Sequence, residues 1–478
     1  EKCMKDVRKT KIICTLGPST DSTEMIEKLV LAGMDAARMN FSHGTHEEHK
    51  VRLEKIDEVC SRLHIPVATI LDTKGPEIRL GDFKDGKVTL KEGQRFTLTT
   101  EEIEGDEEMV SISYDGLPKD VSQGSHVLID DGLIDMVVEE VDDTHVVCTV
   151  LNGGPVSNHK GVNVPDADLK IPFISKKDLS DLVFGAENGF DYVAASFTRS
   201  AQDILDVRRT LDAHGGKDMG IIAKIENMQG VNNIDEIIAV ADGVMVARGD
   251  LGVEVPMEEV PIIQKDIIKK CYSNAKLVIT ATQMLDSMIQ NPRPTRAEVA
   301  DVANAVFDGT SAIMLSGETA SGAYPIEAVE VMSRIALRTE NSISYDKRLR
   351  NTQIGKDPDI TTAICHATCT TAMDLNAEAI ITVTESGFTA RQLSRFRPQN
   401  RIIAFSTSDI NCRRLNLSWG VKPVFLEDID DMEELIVVAA REAKKEGLVE
   451  DGDLLVLTAG MPLGVSGNTN LLRVHVVN

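Results

Sequence analysis

Eight short apolar runs recur between Lys11 and Gly317, and helix-like stretches separate most of them. Near-continuous apolar strands separated by helices are typical of a parallel sheet that is covered on both faces. Eight such units predict a closed (β/α)8 TIM barrel, whose active site lies at the carboxyl ends of the strands. The runs are KIICTLG from Lys11, DAARMNFS from Asp35, VATILDT from Val67, DYVAASF from Asp191, GIIAKIE from Gly220, GVMVARG from Gly243, KLVITAT from Lys276 and SAIMLSG from Ser311.

One long insertion interrupts this series. The runs start 23 to 35 residues apart, except the third and fourth, which start 124 residues apart. Within this gap, residues 77–172 carry 21 acidic against 8 basic residues and alternate apolar with polar positions, and Asp131-Gly132 supplies a turn. We expect a small antiparallel β-barrel, joined to the larger barrel by two short connections, that closes over the barrel mouth as a lid.

The alternation restarts after residue 345. Five apolar strands, AIITVT, RIIAFST, KPVFLE, LLVLTAG and LRVHVV, are separated by helical patterns and predict a C-terminal doubly wound α/β domain. The predicted domains are therefore the barrel, residues 1–76 with 173–345, the inserted lid, residues 77–172, and the C-terminal regulatory domain, residues 346–478.

Net charge and composition argue against several classes of binding partner and indicate where the protein is located. A formal net charge of −25 argues against binding to nucleic acid or to an anionic membrane. The sequence has no run of about 18 apolar residues and no apolar signal-peptide core at its start. Its eight cysteines form no Cys-x-x-Cys pair and no zinc-like spacing. We therefore expect a cytoplasmic protein that binds neither nucleic acid nor membrane.

Polar residues follow most of the predicted barrel strands. Lys224 and Glu226, two residues apart at the end of one strand, should point the same way. Glu226 and Asp250 end neighbouring strands without Cys or His, which favours Mg²⁺ or Mn²⁺ over zinc. The full set is Arg38, Asn40, Ser42, Asp72, Thr73, Lys74, Lys224, Glu226, Arg248, Asp250, Thr282 and Ser316.

Each of these residues also has a plainer interpretation. A lone lysine at a strand end is usually a solvated loop residue, and an aspartate before Leu-Gly is usually a helix cap. Taken alone, Thr282 fits a β-branched strand residue better than a functional one. A cluster of polar residues on six of eight strand ends argues against interpreting the whole set in this way.

Long motifs in the sequence resemble those of pyruvate kinase. They run in the family's order over essentially the whole chain, inserted domain included. The resemblance implies transfer of a phosphoryl group from phosphoenolpyruvate to ADP, giving pyruvate and ATP, and a homotetrameric assembly. The motifs are RMNFSHGTHEEH, LDTKGPEIRLG, AKIENMQG, VARGDLGVEVP, ATQMLDSMIQNPRPTRAEVADVANAVFDGTSAIMLSGETA and YPIEAVEVM.

The resemblance implies roles for residues at the strand ends. Lys224 and Arg38 would bind the phosphoryl group, with Lys224 also near the developing enolate. Glu226 and Asp250 would hold Mg²⁺ or Mn²⁺. The substrate carboxylate would lie on Gly249, Asp250 and Thr282, and Thr282 would orient a water that protonates the enolpyruvate. The implied catalytic residues are Lys224, Arg38 and Thr282.

The resemblance also implies a monovalent cation and a nucleotide site. Asn40, Ser42, Asp72 and Thr73 would hold K⁺, and relatives that dispense with K⁺ carry a lysine at the position of Glu77, so K⁺ activation is expected. The nucleotide phosphates would contact Asn40, Phe41, Ser42, His43 and Arg79. One departure from the family concerns Ser200, where many relatives carry a lysine that contacts the nucleotide.

A possible effector site follows from VTESGFTARQLSRFRPQN, which resembles the loop where relatives bind a phosphorylated effector. Ser386, Gly387 and Thr389 would donate hydrogen bonds to a phosphate. Glu385 stands where relatives that respond to fructose 1,6-bisphosphate often carry lysine, which argues against that effector. A sugar monophosphate or AMP stays open, and so does a plain strand-to-helix turn.

Two other functions are compatible with part of the pattern. A different barrel enzyme acting on a pyruvate enolate, such as an aldolase or lyase, would use the same Lys, Glu and Asp, but it would not explain the acidic insert, the C-terminal domain or the K⁺ ligands. A non-catalytic regulator that binds phosphoenolpyruvate would be expected to have lost Lys224, Glu226, Asp250 or Thr282, and all four are present.

Overall fold

This computed structural model of the chain describes residues 8–165, 167–352, 354, 358–427, 432–461 and 467–478. Its strands are β1 (Lys11–Thr15), β2 (Ala36–Asn40), β3 (Ala68–Asp72), β4 (Ile78–Arg79), β5 (Lys87–Leu90), β6 (Arg95–Thr99), β7 (Met109–Ser111), β8 (His126–Ile129), β9 (Ile134–Val141), β10 (His145–Val150), β11 (Gly154–Ser157), β12 (Gly161–Asn163), β13 (Tyr192–Ala195), β14 (Gly220–Ile225), β15 (Gly243–Ala247), β16 (Leu277–Ala281), β17 (Ala312–Leu315), β18 (Ala379–Val383), β19 (Arg401–Ser406), β20 (Val421–Phe425), β21 (Leu454–Ala459) and β22 (Leu471–Val476).

The helices are α1 (Thr23–Ala32), α2 (His46–Leu63), α3 (Leu117–Asp120), α4 (Lys176–Glu187), α5 (Ala201–Ala213), α6 (Met228–Asn232), α7 (Ile234–Val240), α8 (Arg248–Glu254), α9 (Val260–Ser273), α10 (Arg296–Asp308), α11 (Gly317–Ala320), α12 (Pro325–Glu340), α13 (Tyr345–Arg350), α14 (Ile360–Asp374), α15 (Phe388–Ser394), α16 (Asp409–Leu415) and α17 (Met432–Lys445). Short 3-10 helices span Pro18–Thr20 and Asp286–Ile289.

The eight apolar runs form a closed parallel barrel, which confirms the predicted fold class. The strands follow one another around the barrel in the order β1, β17, β16, β15, β14, β13, β3, β2. All six residues of β14 are buried, as expected for a strand covered on both faces. One apolar cluster, which includes Ile13, Ile70 and Met245, fills the inside of the barrel, and a larger one lies between the strands and the helices.

Several helices on the barrel begin with the same local sequence signal. A Ser or Thr caps the first turn, and an acidic residue three positions later closes a capping box, in the pairs Thr45–Glu48, Ser175–Asp178, Ser200–Asp203 and Thr295–Glu298. These caps fix the loops that connect strand ends to helices. Ser200, the position that departs from the family pattern, is therefore the N-cap of α5.

The insert forms a second sheet, in the strand order β4, β12, β8, β9, β10, β6, β7, with a separate pair β11–β5. The pairs are antiparallel except β6 with β7. A bridge between Leu80 and Ile112, next to β4 and β7, joins the two edges of the sheet and closes it into a small barrel. The turn after β8 contains Asp131 and Gly132 at φ 54° and 81°, as the Asp-Gly pair predicts.

The C-terminal sheet has the order β20, β19, β18, β21, β22, and its last strand runs antiparallel. This part of the chain packs on the amino ends of the barrel strands. Nζ of Lys11, the first residue of β1, donates to the carbonyl of Val421 at 2.8 Å, and the side chain of Asn416 donates to the carbonyls of Asp35 and Pro66. The carboxyl ends of the strands, where the site lies, face away from this contact.

The seven cysteines in the described residues are free thiols, and Cys3 lies outside them. Among the helices of the described chain, none combines the length and the apolar character that crossing a membrane requires.

Candidate active site

The side chains at the ends of β2, β3 and β14 form one connected network of charges. Nζ of Lys224 lies 3.0 Å from Oε1 of Glu226 and 3.1 Å from Oδ1 of Asp72. The other oxygen of Asp72 accepts a hydrogen bond of 2.5 Å from Nε of Arg38. Arg38 and Lys224 are each 8% exposed, and Asp72 and Glu226 are each 1% exposed. Two cations and two carboxylates therefore share one buried pocket.

Burial and pairing set the protonation of this network. Burial disfavours the charged form of Asp72, but Arg38 and Lys224 outweigh it and lower the pKa of that carboxyl. Burial likewise disfavours the ammonium of Lys224, yet Asp72 and Glu226 raise its pKa above the ordinary value. For Glu226 burial dominates and raises the pKa to about 7, although Lys224 opposes the shift. The network thus keeps the ammonium of Lys224 charged, whereas the positive charge near Glu226 does not offset the effect of its burial.

Asp250 lies in the first turn of α8, directly after β15, and places a third carboxyl group close to Lys224 and Glu226. Burial raises the pKa of its carboxyl group, and the positive charge of nearby Lys224 opposes the shift; the charge of Asp250 in turn raises the pKa of Glu226. Glu226 is buried and Asp250 is partly buried, and a nearby cation would stabilise the charged forms of both carboxyl groups. The described residues contain no cluster of three or more His, Cys, Asp and Glu side chains suited to a metal. The pair fits Mg²⁺ or Mn²⁺, because Mg²⁺ needs only one or two protein carboxylates and completes its shell with water and phosphate.

Thr282 has an unusual backbone conformation just beyond β16. Its φ of 67° is an outlier for a β-branched residue, and such strain concentrates at functional sites. Its hydroxyl accepts a 2.7 Å hydrogen bond from the backbone N–H of Gly249, and Arg248 donates to its carbonyl oxygen at 2.7 Å. Because β16 ends at Ala281, Thr282 is a loop residue held in place, not the strand residue of the plainer interpretation.

Ser196 belongs to the same network, although the sequence analysis did not name it. Its hydroxyl accepts a hydrogen bond from Nζ of Lys224 at 2.8 Å and lies 2.6 Å from the carbonyl oxygen of Thr73. The backbone N–H of the next residue, Phe197, donates to Oε2 of Glu226 at 2.6 Å. Ser196 directly follows the apolar run of β13, so the rule that selected the other strand ends would have found it.

Asn40 to His43 form a tight loop after β2. The side chain of Asn40 accepts a 3.1 Å hydrogen bond from the N–H of Ser42, and the N–H of His43 donates to the carbonyl of Asn40. The ring of Phe41 is buried and stacks on His49 at 4.0 Å, so Phe41 offers the loop only its backbone. Of the expected K⁺ ligands, Asn40, Ser42 and Thr73 lie on adjacent strand ends with Asp72, whose two oxygens already contact Arg38 and Lys224.

Arg79 lies at the start of the lid, paired with Glu77. Its guanidinium is 2.6 Å from Oε2 of Glu77, and it also donates to the carbonyl of His159 at 2.8 Å. The residue that is expected to set the cation requirement therefore positions the arginine that is expected to contact the nucleotide.

A cleft of about 650 Å³ lies between the lid and the barrel. Its lid side includes Glu77, Arg79 and Lys160, and its barrel side includes Arg199 and Asp250. The lid contacts the barrel at the edge of this cleft, where the side chain of Asn163 donates to Glu254 at 2.7 Å. The volume is that of a pocket for a small organic ligand.

Four further predicted residues lie outside this charge network. The hydroxyl of Ser316, after β17, is buried and has no hydrogen-bond partner within the part of the chain that the structure describes. In the C-terminal domain, Gly387 has φ 77° directly before α15. The hydroxyl of Thr389 shares a 2.8 Å hydrogen bond with the hydroxyl of Thr469, and both are buried. Ser386 contributes its carbonyl to Arg391 at 3.1 Å.

Comparison with known proteins gives one consistent result. The family model "Pyruvate kinase, barrel domain" matches residues 7–329, and "Pyruvate kinase, alpha/beta domain" matches residues 362–475. A pyruvate kinase of Clostridium acetobutylicum is 51% identical over 472 residues, which cover 98% of this chain and 100% of that protein. One of Geobacillus stearothermophilus is 50% identical over 98% of this chain and 81% of that protein. The crystal structure of a pyruvate kinase from Cryptosporidium parvum superposes with a TM-score of 0.94 at 42% identity, covering 98% of this chain and 96% of the other.

Proposed function

The chain belongs to the pyruvate kinase family, and from this premise we propose that it transfers the phosphoryl group of phosphoenolpyruvate to ADP, giving pyruvate and ATP, with a divalent metal ion and K⁺. The observation that carries the proposal is the convergence of Arg38, Lys224, Glu226 and Asp250 at one end of the barrel. Phosphoryl transfer asks the protein mainly to position the groups and to stabilise the negative charge on the moving oxygens.

Arg38 and Lys224 bind the phosphoryl group in this proposal. Both are held by Asp72 in the buried network, so their positive charges are fixed before the substrate arrives. Fixed charges need no reorganisation during the reaction, and the loss of one typically costs about 10²–10³ in rate. Lys224 lies next to Glu226, and in this proposal its ammonium also stabilises the oxygen that becomes the enolate of pyruvate.

Glu226 and Asp250 are the proposed ligands of Mg²⁺ or Mn²⁺. The ion that they would hold would supply positive charge to stabilise the negative charge on the substrate. The carboxylate of the substrate binds beside Asp250, against Gly249 and Thr282. Thr282 positions a water that protonates the methylene carbon of the enolate, since a hydroxyl is too weak an acid to do so alone. The hydroxyl of Thr282 already contacts the N–H of Gly249, which supports one shared binding position.

Asn40, Ser42, Asp72 and Thr73 are the proposed K⁺ site, and Asn40, Phe41, Ser42, His43 and Arg79 are the proposed contacts to the nucleotide phosphates. Phe41 would contribute through its backbone, because its ring is buried. Arg79 stands on the lid, so closure of the lid would bring its charge onto the nucleotide. Ser200 caps α5 in this chain, so the nucleotide site is proposed without a lysine at that position.

Pyruvate formation coupled to lactate dehydrogenase tests the reaction. Pyruvate should form from phosphoenolpyruvate only when ADP and Mg²⁺ are both present. An aldolase or lyase would form pyruvate without ADP, and a regulator would form none. The matched variant Lys224→Met should lose at least about 10² in kcat, and a variant with ordinary kcat would contradict the assigned role.

The cation requirement has its own test. With Na⁺ or Tris as the sole monovalent cation the rate should be low, and added K⁺ should raise it. The variant Glu77→Lys should reduce the dependence on K⁺, because the lysine ammonium would supply the missing charge. Equal rates of the unmodified enzyme with and without K⁺ would refute the proposal.

Regulation and assembly are proposed on the same family premise. We propose a homotetramer in the cytoplasm, the domain limits 1–76 with 173–345, 77–172 and 346–478, and an effector phosphate on Ser386, Gly387 and Thr389. The left-handed turn at Gly387 supports the phosphate site, whereas the hydroxyl of Thr389 already shares a hydrogen bond with the hydroxyl of Thr469. Titration with AMP and with sugar monophosphates at low phosphoenolpyruvate, together with the mass in solution, tests these statements.

A further inference from the structure

A single loop between β13 and α5, residues 196–200, contacts both the charge network and the lid. Its first two residues hold the site, since Ser196 contacts Lys224 and the N–H of Phe197 donates to Glu226. Phe197 has φ 56°, an uncommon conformation for a residue with a side chain, which indicates that the loop is held in one shape. A shift of this loop would move the partners of both Lys224 and Glu226.

The fourth residue of the loop, Arg199, points the other way, toward the segment through which the lid returns to the barrel. Its two terminal nitrogens donate to the carbonyls of Leu169 and Ile171 at 2.8 and 2.9 Å. Its guanidinium also lies over the ring of Phe173 at 6.0 Å. The arginine therefore holds residues 167–173, the described part of this return segment, at three points.

The backbone of Arg199 is anchored to the barrel. Its N–H donates to Asp203 on α5 at 2.9 Å, and its carbonyl accepts from the side chain of Asn233 at 2.8 Å. Arg199 therefore links the return segment of the lid to the barrel, the segment through its guanidinium and the barrel through its backbone.

The same loop also contacts the outgoing connection of the lid. Gly75 packs so closely that a Cβ there would lie 2.8 Å from Cβ of Ser196 and 3.0 Å from the ring of Phe197. Ser196 lies 2.6 Å from the carbonyl of Thr73. Both connections of the lid thus bear on residues 196–200, which also hold the two groups of opposite charge in the site.

From these contacts we infer that Arg199 is a positioning residue for phosphoryl transfer, which couples closure of the lid to the placement of Lys224 and Glu226. The inference rests on the proposed function of the site. Arg199 does not need to touch the substrate. Its two hydrogen bonds to Leu169 and Ile171 require the forked guanidinium, which lysine cannot reproduce.

Hydrogen exchange measured by mass spectrometry tests the coupling without using activity. The probe is Mg²⁺ with oxalate, a planar dianion of about the size of the pyruvate enolate. In the unmodified enzyme this probe should slow exchange in residues 196–200 and in residues 167–173. In Arg199→Met it should slow exchange in residues 196–200 alone.

Arg208→Met is the matched control. Arg208, on α5, likewise donates to backbone carbonyls, those of Met219 and Lys217, but none of its contacts with the described residues reaches the lid. It should behave as the unmodified enzyme does. Arg199→Lys keeps the charge and guards against a methionine variant that fails to fold, and it should also leave residues 167–173 unprotected.

Kinetics give a second readout. Arg199→Lys and Arg199→Met should lower kcat/KM for ADP about tenfold, with less than a twofold change in the Kd of Mg²⁺-oxalate. The inference would be overturned if the probe protected residues 167–173 in both Arg199 variants as strongly as in the unmodified enzyme. It would also be overturned if the probe did not protect residues 167–173 in the unmodified enzyme. Absence of any protection of residues 196–200 in the unmodified enzyme would instead overturn the proposed site itself.

Discussion

The carboxylate of Asp72 has a central place among the individual residues of the site. It accepts from Arg38 with one oxygen and from Lys224 with the other. Burying these charges is costly, and removing one partner of a buried pair leaves the rest without compensation. The arrangement therefore serves preorganisation more than stability, since it keeps two cations aimed at one place.

Ser196→Ala tests this preorganisation. The substitution removes a hydroxyl that holds Lys224 but leaves its ion pairs with Asp72 and Glu226 intact. A hydrogen bond to a charged group contributes about 1.5–3 kcal/mol, so kcat should fall about 10- to 100-fold with little change in the KM of phosphoenolpyruvate. Steady-state kinetics measure both constants.

Ser311→Ala is the control for that substitution. Ser311 is equally buried and also accepts a hydrogen bond from a cation, Arg397, but at the opposite end of the barrel. It should lose stability and keep kcat. Similar losses of kcat in both variants would show that Ser196 acts on folding alone.

His49 predicts how stability depends on pH near the nucleotide loop. Its Nε2–H donates to the carbonyl of His43 at 2.9 Å, and burial, aided by Arg52, lowers the pKa of the ring below its ordinary value. The folded state therefore binds a proton less readily than the unfolded state, so this contribution to stability is present above about pH 6.5 and is lost as pH falls.

The variant His49→Gln isolates this effect, because an amide can donate to the same carbonyl but does not titrate. The difference in unfolding free energy between the unmodified enzyme and the variant should shrink from pH 7.5 to 5.5, by at most about 1.4 kcal/mol per pH unit for one proton. Chemical denaturation across that range measures it. A constant difference would mean that the pKa of His49 is the same in the folded and the unfolded state.

Single residues also show how far the sequence could predict the site. The two-residue spacing of Lys224 and Glu226 fixes their common direction, because side chains alternate along a strand. No spacing rule predicts that Asp72 pairs with Lys224, since β13 lies between their strands. The sequence could not predict the positive φ of Thr282 either, because β-branched residues disfavour this conformation and only the surrounding contacts stabilise it.

At the scale of elements, Gly75, in the outgoing connection of the lid, combines a left-handed backbone conformation with close packing. Gly75→Ala should lose about 1–2 kcal/mol for its φ of 76°, and more for overlap with Ser196 and Phe197. Because the overlap displaces the loop that holds Glu226, kcat should fall as well. Thermal unfolding and kinetics together measure the two effects.

Gly86→Ala is the matched control for Gly75→Ala. Gly86 has a similar φ of 74°, but a Cβ there would meet nothing within 4 Å. This variant should show the loss from backbone conformation alone and should keep kcat. Equal behaviour of the two variants would indicate that contact with residues 196–200 is unimportant.

Elements differ in how well the sequence predicts them. The eight barrel strands were predicted because each is a continuous apolar run with a clear end. The sequence predicted that the lid forms a small β-barrel, but not which strands close it. Closure depends on the two-residue strand β4 and the bridge from Leu80 to Ile112, and such short pairings leave no periodicity to detect.

At the scale of the whole molecule, the C-terminal domain completes the core of the barrel. Leu417 follows α16 in sequence, yet it belongs to the apolar cluster inside the barrel, together with Ile13, Ile70 and Met245. It is 1% exposed. The amino end of the barrel is thus closed by a side chain from another domain, and we expect the two domains to be stable only together.

Leu417→Ala tests this dependence against Leu415→Ala, since Leu415 is equally buried but packs in the core of the C-terminal domain. Each truncation should cost about 3–5 kcal/mol, because each leaves a cavity in a packed core. The two variants should differ in which strands they destabilise. Hydrogen exchange should become faster in barrel strands β1, β3 and β15 for Leu417→Ala, and in strands β18 and β19 of the C-terminal domain for Leu415→Ala. If the barrel strands exchange equally in both variants, Leu417 fills space without supporting the barrel, and the two domains are independent in stability.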